Sequence, residues 1–272
     1  IATVEGAPDI LVGAVNSHRE VLFPGADTTE IWFNSGAADF PFERQGNAFV
    51  ERGCIDRDSI AKADNTVFLV GNDRIVYRFD GYAPIRISTH DVETKIASAA
   101  YFRGFTYSQE GHTFYGVNTD IGSWALDIAT GAWAERKSEG RDNYRVGYVT
   151  VAYGKTLMGD NGDGKLYYPD LDVHTENGAA MPVIIELPTI IAKTESQTMY
   201  AFEVYCETGV GNATTANPQI IMEYSKDGGR NWSNEIWRPM GLVGEYKTRT
   251  IWRTLGEFRQ MQVRLTMPDK TR

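Results

Sequence analysis

The stretch Ser225-Lys226-Asp227-Gly228-Gly229-Arg230-Asn231-Trp232 has the S-x-D-x-G-x-x-W spacing of an Asp box, the hairpin device of sialidases and other glycan-processing propellers. Glycoside chemistry of that kind would need arginines converging on a substrate carboxylate and a tyrosine nucleophile with a partnering acid. Nothing in the sequence sets such a group together. As a turn, the same residues need no substrate. The Ser225 and Asp227 side chains bond turn amides, Gly229 takes positive φ, and Trp232 packs under the loop. Ser225, Asp227, Gly229 and Trp232 are therefore expected to form a structural Asp-box turn.

Gly159-Asp160-Asn161-Gly162-Asp163-Gly164 invites a calcium reading, but a calcium loop wants oxygen ligands at alternate positions and a distal Glu. Here glycines hold the third and fifth positions counted from Asp160, so a tight β-turn is expected. His18, His90, His112 and His174 are scattered, with no HxH or HExxH spacing. Cys54 and Cys206 are far apart with no CxxC partner, and both are expected as buried small hydrophobes of a reduced, cytoplasmically assembled chain. Neither a nucleophile elbow nor a phosphate-binding P-loop occurs. The expectation is a protein without catalytic residues, metal or cofactor.

The most unusual segment runs from Glu235 to Arg253 and concentrates Trp, Tyr and Arg, the residues enriched in interface hot spots. Trp237, Arg238, Tyr246, Arg249, Trp252 and Arg253 form the candidate protein interface. A core strand competes with that reading, since Thr248, Thr250, Trp252 and Thr254 alternate with Arg249, Ile251 and Arg253. Charge points the same way as the interface. The chain carries −9 overall, yet from Ser225 onward ten Lys or Arg face five Asp or Glu. The acidic body disfavours stable binding to a phosphate backbone, because such affinity comes mainly from counterion release by Lys and Arg. The basic end is left as the contact surface.

These residues need a scaffold, and the sequence repeats one. An apolar strand, a polar turn, and a second strand with an aromatic and a closing Asn or Asp recur four times. The copies run from Val21 to Asn34, Thr66 to Asp80, His112 to Asp127 and Lys155 to Asp170. The closing residues are 46, 47 and 43 positions apart, near the period of four-stranded propeller blades. Gly71-Asn72-Asp73 and Glu110-Gly111 read as hairpin turns. One short helix is expected over Asp91 to Ala100, capped by Ser88 or Thr89, with Val92, Ile96, Ala99 and Ala100 on its apolar face. After Gly178 longer strands appear at Val183–Leu187, Ala201–Tyr205, Ile220–Tyr224 and Met261–Leu265. The fold class is all-β: propeller-like repeats of about 45 residues with an additional C-terminal antiparallel β unit. Blades are expected over 1–181, incomplete at the N-terminal side, and a sandwich-like unit or closing blade over 182–272. No apolar run approaches the roughly 18 residues of a membrane span. The chain begins at Ile1 and stops after Asp269 and Lys270 without a finished strand pattern, so a longer protein is expected.

Three blocks carry a resemblance: TTEIWFNSGAADFPFERQGNAFVERGC (Thr28 to Cys54), DNTVFLVGNDRIVYRFDGYAPIRISTHDVE (Asp64 to Glu93) and SKDGGRNWSNEIWRPMGLVGEYKTRTIWRTLG (Ser225 to Gly256). Together with GD-x-x-x-G-K-L-Y at Gly159 to Tyr167, they resemble, in family order, the phage stabilisation family of packaged-DNA stabilisation or tail-hub proteins of short-tailed phages. The resemblance implies a structural virion protein of the tail, assembled in the host cytoplasm as a homo-oligomeric ring, a hexamer in the family. Its implied partners are the portal adaptor, the tail needle and the tailspike. It implies that the ring closes the channel on packaged DNA and forms the conduit for ejection. On that reading the acidic body repels phosphate, so DNA passes without specific binding. The alternative from the Asp box is a sialidase-like or glycan-binding β-propeller.

Overall fold

The computed structural model describes residues 8–193 and 195–269, with the backbone alone at position 47. The chain divides into two compact units, Ile1–Pro169 and Asp170–Arg272.

The first unit is a run of antiparallel blades. Blade 1 comprises β1 (Val15–Ser17), β2 (Glu20–Pro24), β3 (Thr29–Asn34) and β4 (Phe42–Val50). Blade 2 comprises β5 (Ala61–Ala63), β6 (Thr66–Val70), β7 (Val76–Asp80) and β8 (Ala83–Arg86). Blade 3 comprises β9 (Arg103–Gln109), β10 (His112–Asn118), β11 (Ser123–Asp127) and β12 (Trp133–Glu135). Blade 4 has three strands, β13 (Val146–Ala152), β14 (Lys155–Asp160) and β15 (Leu166–Tyr167). The four sequence copies are the second and third strands of each blade. Asn34, Asp80 and Asp127 end third strands, and Asp170 lies past β15.

The middle strands repeat most visibly because they are covered on both faces. In β6, Val67, Phe68, Leu69 and Val70 are all buried, and side-chain alternation divides them between two cores. Val67 and Leu69 pack with Leu22 and Ile31 of blade 1. Phe68 and Val70 pack with Tyr115 and Val117 of blade 3, Phe68 stacking on Tyr115 at 4.9 Å. Each such side chain contributes about 1.5–3 kcal/mol by leaving water. The approach of blade 3 to the chain before β5 is close enough to require glycine at 104. A Cβ there would lie 2.2 Å from the Ser59 carbonyl oxygen.

Between blades 2 and 3 lies the one α-helix among the described residues, α1 (His90–Ile96), shorter than the Asp91–Ala100 expectation. Thr89 caps it, accepting from the Val92 amide at 3.4 Å, while Ser88 instead bonds Glu93 and the Val76 amide. Val92, Ile96 and Ala99 are buried as expected, but Ala100 is exposed, its amide bonded to Asp120. The hairpin at Glu110-Gly111 has both residues at positive φ; in the turn after Gly71 it is Arg74 that takes it.

The second unit opens with a small hairpin, β16 (Thr175–Glu176) and β17 (Ala179–Ala180). Then follow β18 (Val183–Glu186), β19 (Ile190–Ile191), β20 (Gln197–Val204), β21 (Gln219–Ser225), β22 (Ile236–Pro239), β23 (Thr250–Phe258) and β24 (Gln260–Met267). One sheet has the order β18-β24-β21-β22 with β19 also on β24, and the other pairs β20 with β23. Ile220, Met222, Met261 and Val263 from the first share a core with Trp252, Leu255 and Phe258 from the second. Two sheets closed over one core make this unit a β-sandwich, not a further blade.

In β23 the expected alternation stops at Thr254. The pairing shifts between Met199 and Ala201, leaving an extra residue on β23, and Thr254 sits there at φ +60°. This bulge turns Leu255 inward where strict alternation would have placed Thr254. Of the two cysteines, Cys54 is buried as expected but Cys206, just past β20, is exposed. No helix among the described residues is long and apolar enough to cross a membrane.

Candidate protein-interaction surface

The β20–β23 sheet sorts the candidate interface residues by parity. Phe202 pairs with Trp252 on the inner face, while Ala201 pairs with Arg253 and Glu203 with Ile251 on the outer one. Trp252 therefore leaves the candidate contact set. It is fully buried against Phe202, with its indole N–H donating to the Ile236 carbonyl at 2.8 Å. Arg253 is exposed on the outer face. Arg249, one residue before β23, grips Glu203 with two hydrogen bonds of 2.7 Å. That fork holds the Glu203 carboxyl below and the Arg249 guanidinium above their ordinary values. The pair gives the exposed face a fixed, planar polar group.

Trp237 and Arg238 lie in β22. Trp237 is half exposed and donates to Glu235 at 3.0 Å. Arg238 is spent internally, bonding the carbonyls of Ile251 at 3.0 Å and Trp237 at 2.8 Å. Tyr246 is 72% exposed on the loop that joins β22 to β23. That loop is held by backbone bonds from Gly244 to Gly209, Val243 to Ala216 and Glu245 to Leu242. Gly241 is required in it, with φ +94° and a Cβ position 2.6 Å from the Thr248 hydroxyl. Leu242, Val243 and, beside β20, Tyr205 are exposed on the same unit. The sequence reading missed these three, because an isolated apolar residue in a polar loop carries no periodic signal. The sandwich unit thus exposes these aromatic and aliphatic side chains as well as Arg249 and Arg253.

The Asp-box residues form the expected turn. The Ser225 hydroxyl bonds Asp227 at 2.7 Å and accepts from the Gly229 amide at 2.9 Å. Asp227 accepts from the Arg230 and Asn231 amides at 3.1 and 2.9 Å and from the Asn231 side chain. Gly228 and Gly229 are both at positive φ, and the Arg264 guanidinium covers the Trp232 ring at 3.9 Å. Bonds from the Asn231 amide and side chain, and from Ser225, outweigh burial and bring the Asp227 carboxyl from 3.8 to about 2. A depressed folded-state value means a stabilisation complete above the unfolded value and lost as pH falls toward the folded one. Asp227→Asn is therefore expected to lower the melting temperature most at neutral pH, with the gap from wild type closing between pH 3.8 and about 2. A pH-independent gap in thermal melts would contradict this.

The glycine-rich turn of blade 4 is also closed on itself, but around an ion cluster. Asp160, whose side chain has no exposed surface, meets Arg141 at 3.2 Å and Arg145 at 3.1 Å. It accepts from the amides of Gly162 and Asp163 as well, and Arg145 donates to the Tyr167 hydroxyl at 2.9 Å. The two arginines already hold a carboxylate, which is the task a sialidase would reserve for its substrate. His112 bonds Asp127 at 2.9 Å and His18 bonds Asn65 at 2.9 Å. No group of three or more His, Cys, Asp or Glu side chains among the described residues is placed to hold a metal.

The model for Bacteriophage P22 Gp10, β-propeller, matches residues 1–174, and that for Bacteriophage P22 Gp10, β-sandwich, matches residues 184–271. No curated protein matches the chain. Among solved structures it is similar to the crystal structure of the computationally designed Ika8 protein, at 16% identity and TM-score 0.35 over 60% of this chain. The chain covers 47% of that protein, about half its length. It is also similar to the S. cerevisiae structure of Dbp5 bound to Nup159, Gle1, IP6 and ADP, at 9% identity and TM-score 0.30, over 95% of this chain and 76% of that one. At these TM-scores neither likeness bears on function.

Proposed function

The chain belongs to the Bacteriophage P22 Gp10 family of phage structural proteins, components of the virion, and from that premise we propose that it is a tail-hub subunit acting by assembly and not by catalysis. In this reading it is built into the tail in the host cytoplasm as a ring of identical subunits. The ring meets the portal adaptor on one side, and the tail needle and tailspike on others. It closes the channel on packaged DNA and later conducts that DNA outward. The acidic balance of Ile1 to Tyr224, 17 Lys or Arg against 31 Asp or Glu, would let DNA slide past without sticking.

The observation that carries the reading is the outer face of the β20–β23 sheet. Arg249 is fixed by Glu203, Arg253 is exposed on the outer face, and Tyr246 is carried on a backbone-braced loop. An aromatic and arginine surface of this kind is suited to protein contact. The Asp box, in contrast, spends its polar groups on its own turn, and Asp160 of the glycine-rich turn is taken up by Arg141 and Arg145.

Replacing Arg249 and Arg253 together by Glu reverses two charges on that face and leaves the sandwich core untouched. Assembly with portal-adaptor rings, followed by light scattering, is expected to weaken by at least about tenfold. Unchanged assembly would remove the surface from the reading, and turnover of a fluorogenic sialoside by the wild-type chain would replace assembly with catalysis.

A further inference from the structure

The two sheets of the sandwich are unequal in width, and side-chain bonds tie them together along one edge. The first sheet has β18 at one edge and β22 at the other, while the second is β20 and β23 alone. On the β22 side the layers are joined. Arg238 of β22 donates to the Ile251 carbonyl of β23 at 3.0 Å, and the Trp252 indole of β23 donates to the Ile236 carbonyl of β22 at 2.8 Å. With β23 beside β22, β20 lies toward the opposite edge, the one formed by β18 and β19.

On that side the second sheet is one strand short. Cross-strand partners share a sheet face. Val183 pairs with Met267, Ile185 with Leu265 and Ile190 with Met261, and these three partners belong to the sandwich core or pack against it. Val183, Ile185 and Ile190 therefore point to the inner face, where a second layer would cover them. They are nevertheless 49%, 44% and 37% exposed.

β20 presents an edge able to extend that layer. It pairs with β23 only, so alternate N–H and C=O groups along Gln197–Val204 point outward. No other backbone segment among the described residues bonds them. The strand also lacks proline and lysine, two residues by which sheet edges commonly refuse a neighbour. An open edge beside uncovered inward side chains is completed by a strand from outside, whose main chain supplies affinity and whose alternate side chains supply fit.

Charge sets the ends of that strand. Glu195 stands just before β20 and Glu207 just after it, both exposed, with Lys193 the one nearby lysine in sequence. Glu203, between them, is already matched by Arg249. Basic residues flanking the incoming segment complement the two outer glutamates. We propose that the second unit takes an extended segment of a partner protein as a third strand on β20, apolar side chains inward over Val183 and Ile185 and Lys or Arg at both ends. The inference uses neither the outer-face arginines nor the tail-hub reading.

A fluorescein-labelled peptide, Lys-Lys-Val-Thr-Ile-Thr-Val-Thr-Lys-Lys, titrated into the 272-residue chain and followed by anisotropy, tests it. Saturable binding is expected, with hydrogen exchange slowed across Gln197–Val204. Val183→Asp/Ile185→Asp, at half-exposed positions and with its folding checked by circular dichroism, is expected to bind at least about tenfold more weakly. Glu195→Lys/Glu207→Lys should weaken binding too, and the loss should shrink in high salt. Two peptides N-methylated at one or the other set of alternate residues need no variant at all. One should bind and the other fail, because only one set of amides faces β20. Absence of saturable binding, N-methylated peptides that bind alike, protection confined to Val183–Glu186, or full affinity in the folded Val183/Ile185 variant would each overturn the proposal. So would a longer form of the protein that refuses the peptide while this chain takes it, since the edge would then be filled from within the same chain. Any of these results leaves adaptor-ring assembly through Arg249 and Arg253 untouched, so the two readings fail separately.

Discussion

Trp252→Ala is expected to destabilise the sandwich unit by about 3–5 kcal/mol while leaving the blade unit's unfolding transition where it was. Trp252 is among the fully buried large side chains of the chain and packs on Phe202 with ring centroids 6.1 Å apart. It sits among Met222, Leu255, Phe258, Met261 and Val263, drawn from both sheets. Truncation removes the group that spans the sandwich and leaves a cavity that rigid β ladders on either side close only in part. It also strips the Ile236 carbonyl of its indole donor. Trp252→Phe separates the two costs: it keeps most of the ring volume and loses the hydrogen bond, for about 1–3 kcal/mol. Urea unfolding followed by tryptophan fluorescence resolves the units, since Trp32, Trp124 and Trp133 lie in the blades and Trp232, Trp237 and Trp252 in the sandwich. Two transitions of which only one moves are expected. A shift of both, or a loss below about 1 kcal/mol in the alanine variant, would refute the assignment of Trp252 as the centre of a separate core.

How much of this was legible depended on whether a residue's environment is set by near neighbours or distant ones. Blades 2 and 3 announced themselves because β6, β7, β10 and β11 are covered on both faces, giving apolar runs such as Val67 to Val70 with turns at near-constant spacing. The edge strands β1, β5 and β12 did not, because they are three residues long and partly exposed, too short for a period to show. In the sandwich, alternation correctly turned Arg253 outward and Trp252 inward, and the Trp-inside strand prevailed at that position over the interface. It failed two residues later, where a β-branched threonine adopts a left-handed φ that no local propensity favours. The bulge is set by how β23 must bend over the core, a tertiary constraint. The Asp-box turn was readable because all its bonds lie within seven residues, from Ser225 to Asn231. The ion cluster at Asp160 was not, since its arginines lie 19 and 15 positions earlier and look like ordinary surface charges.

That cluster gives the other large expected effect. Asp160→Asn should cost the first unit about 3–5 kcal/mol, the usual consequence of removing one partner from a buried ion pair. The asparagine keeps an oxygen for the Gly162 and Asp163 amides, so the turn itself can form. What it loses is the charge that Arg145 and Arg141 share, and its amide N–H group must face the Arg145 guanidinium, donor against donor. Arg145 has 9% of its side chain exposed and Arg141 29%, so Arg141 can turn toward water and Arg145 cannot without leaving the Tyr167 ring it covers at 5.3 Å. The expected order of cost is therefore Asp160→Asn, then Arg145→Ala, then Arg141→Ala. Blade 4 has three strands and a small core shared with blade 3, so the loss should appear first as local opening. Hydrogen exchange should speed up across Val146–Tyr167 before the amides of β6 and β10 respond. Equal acceleration throughout the first unit, or an Arg141→Ala variant less stable than Asp160→Asn, would show that the cluster does not hold blade 4 in this way.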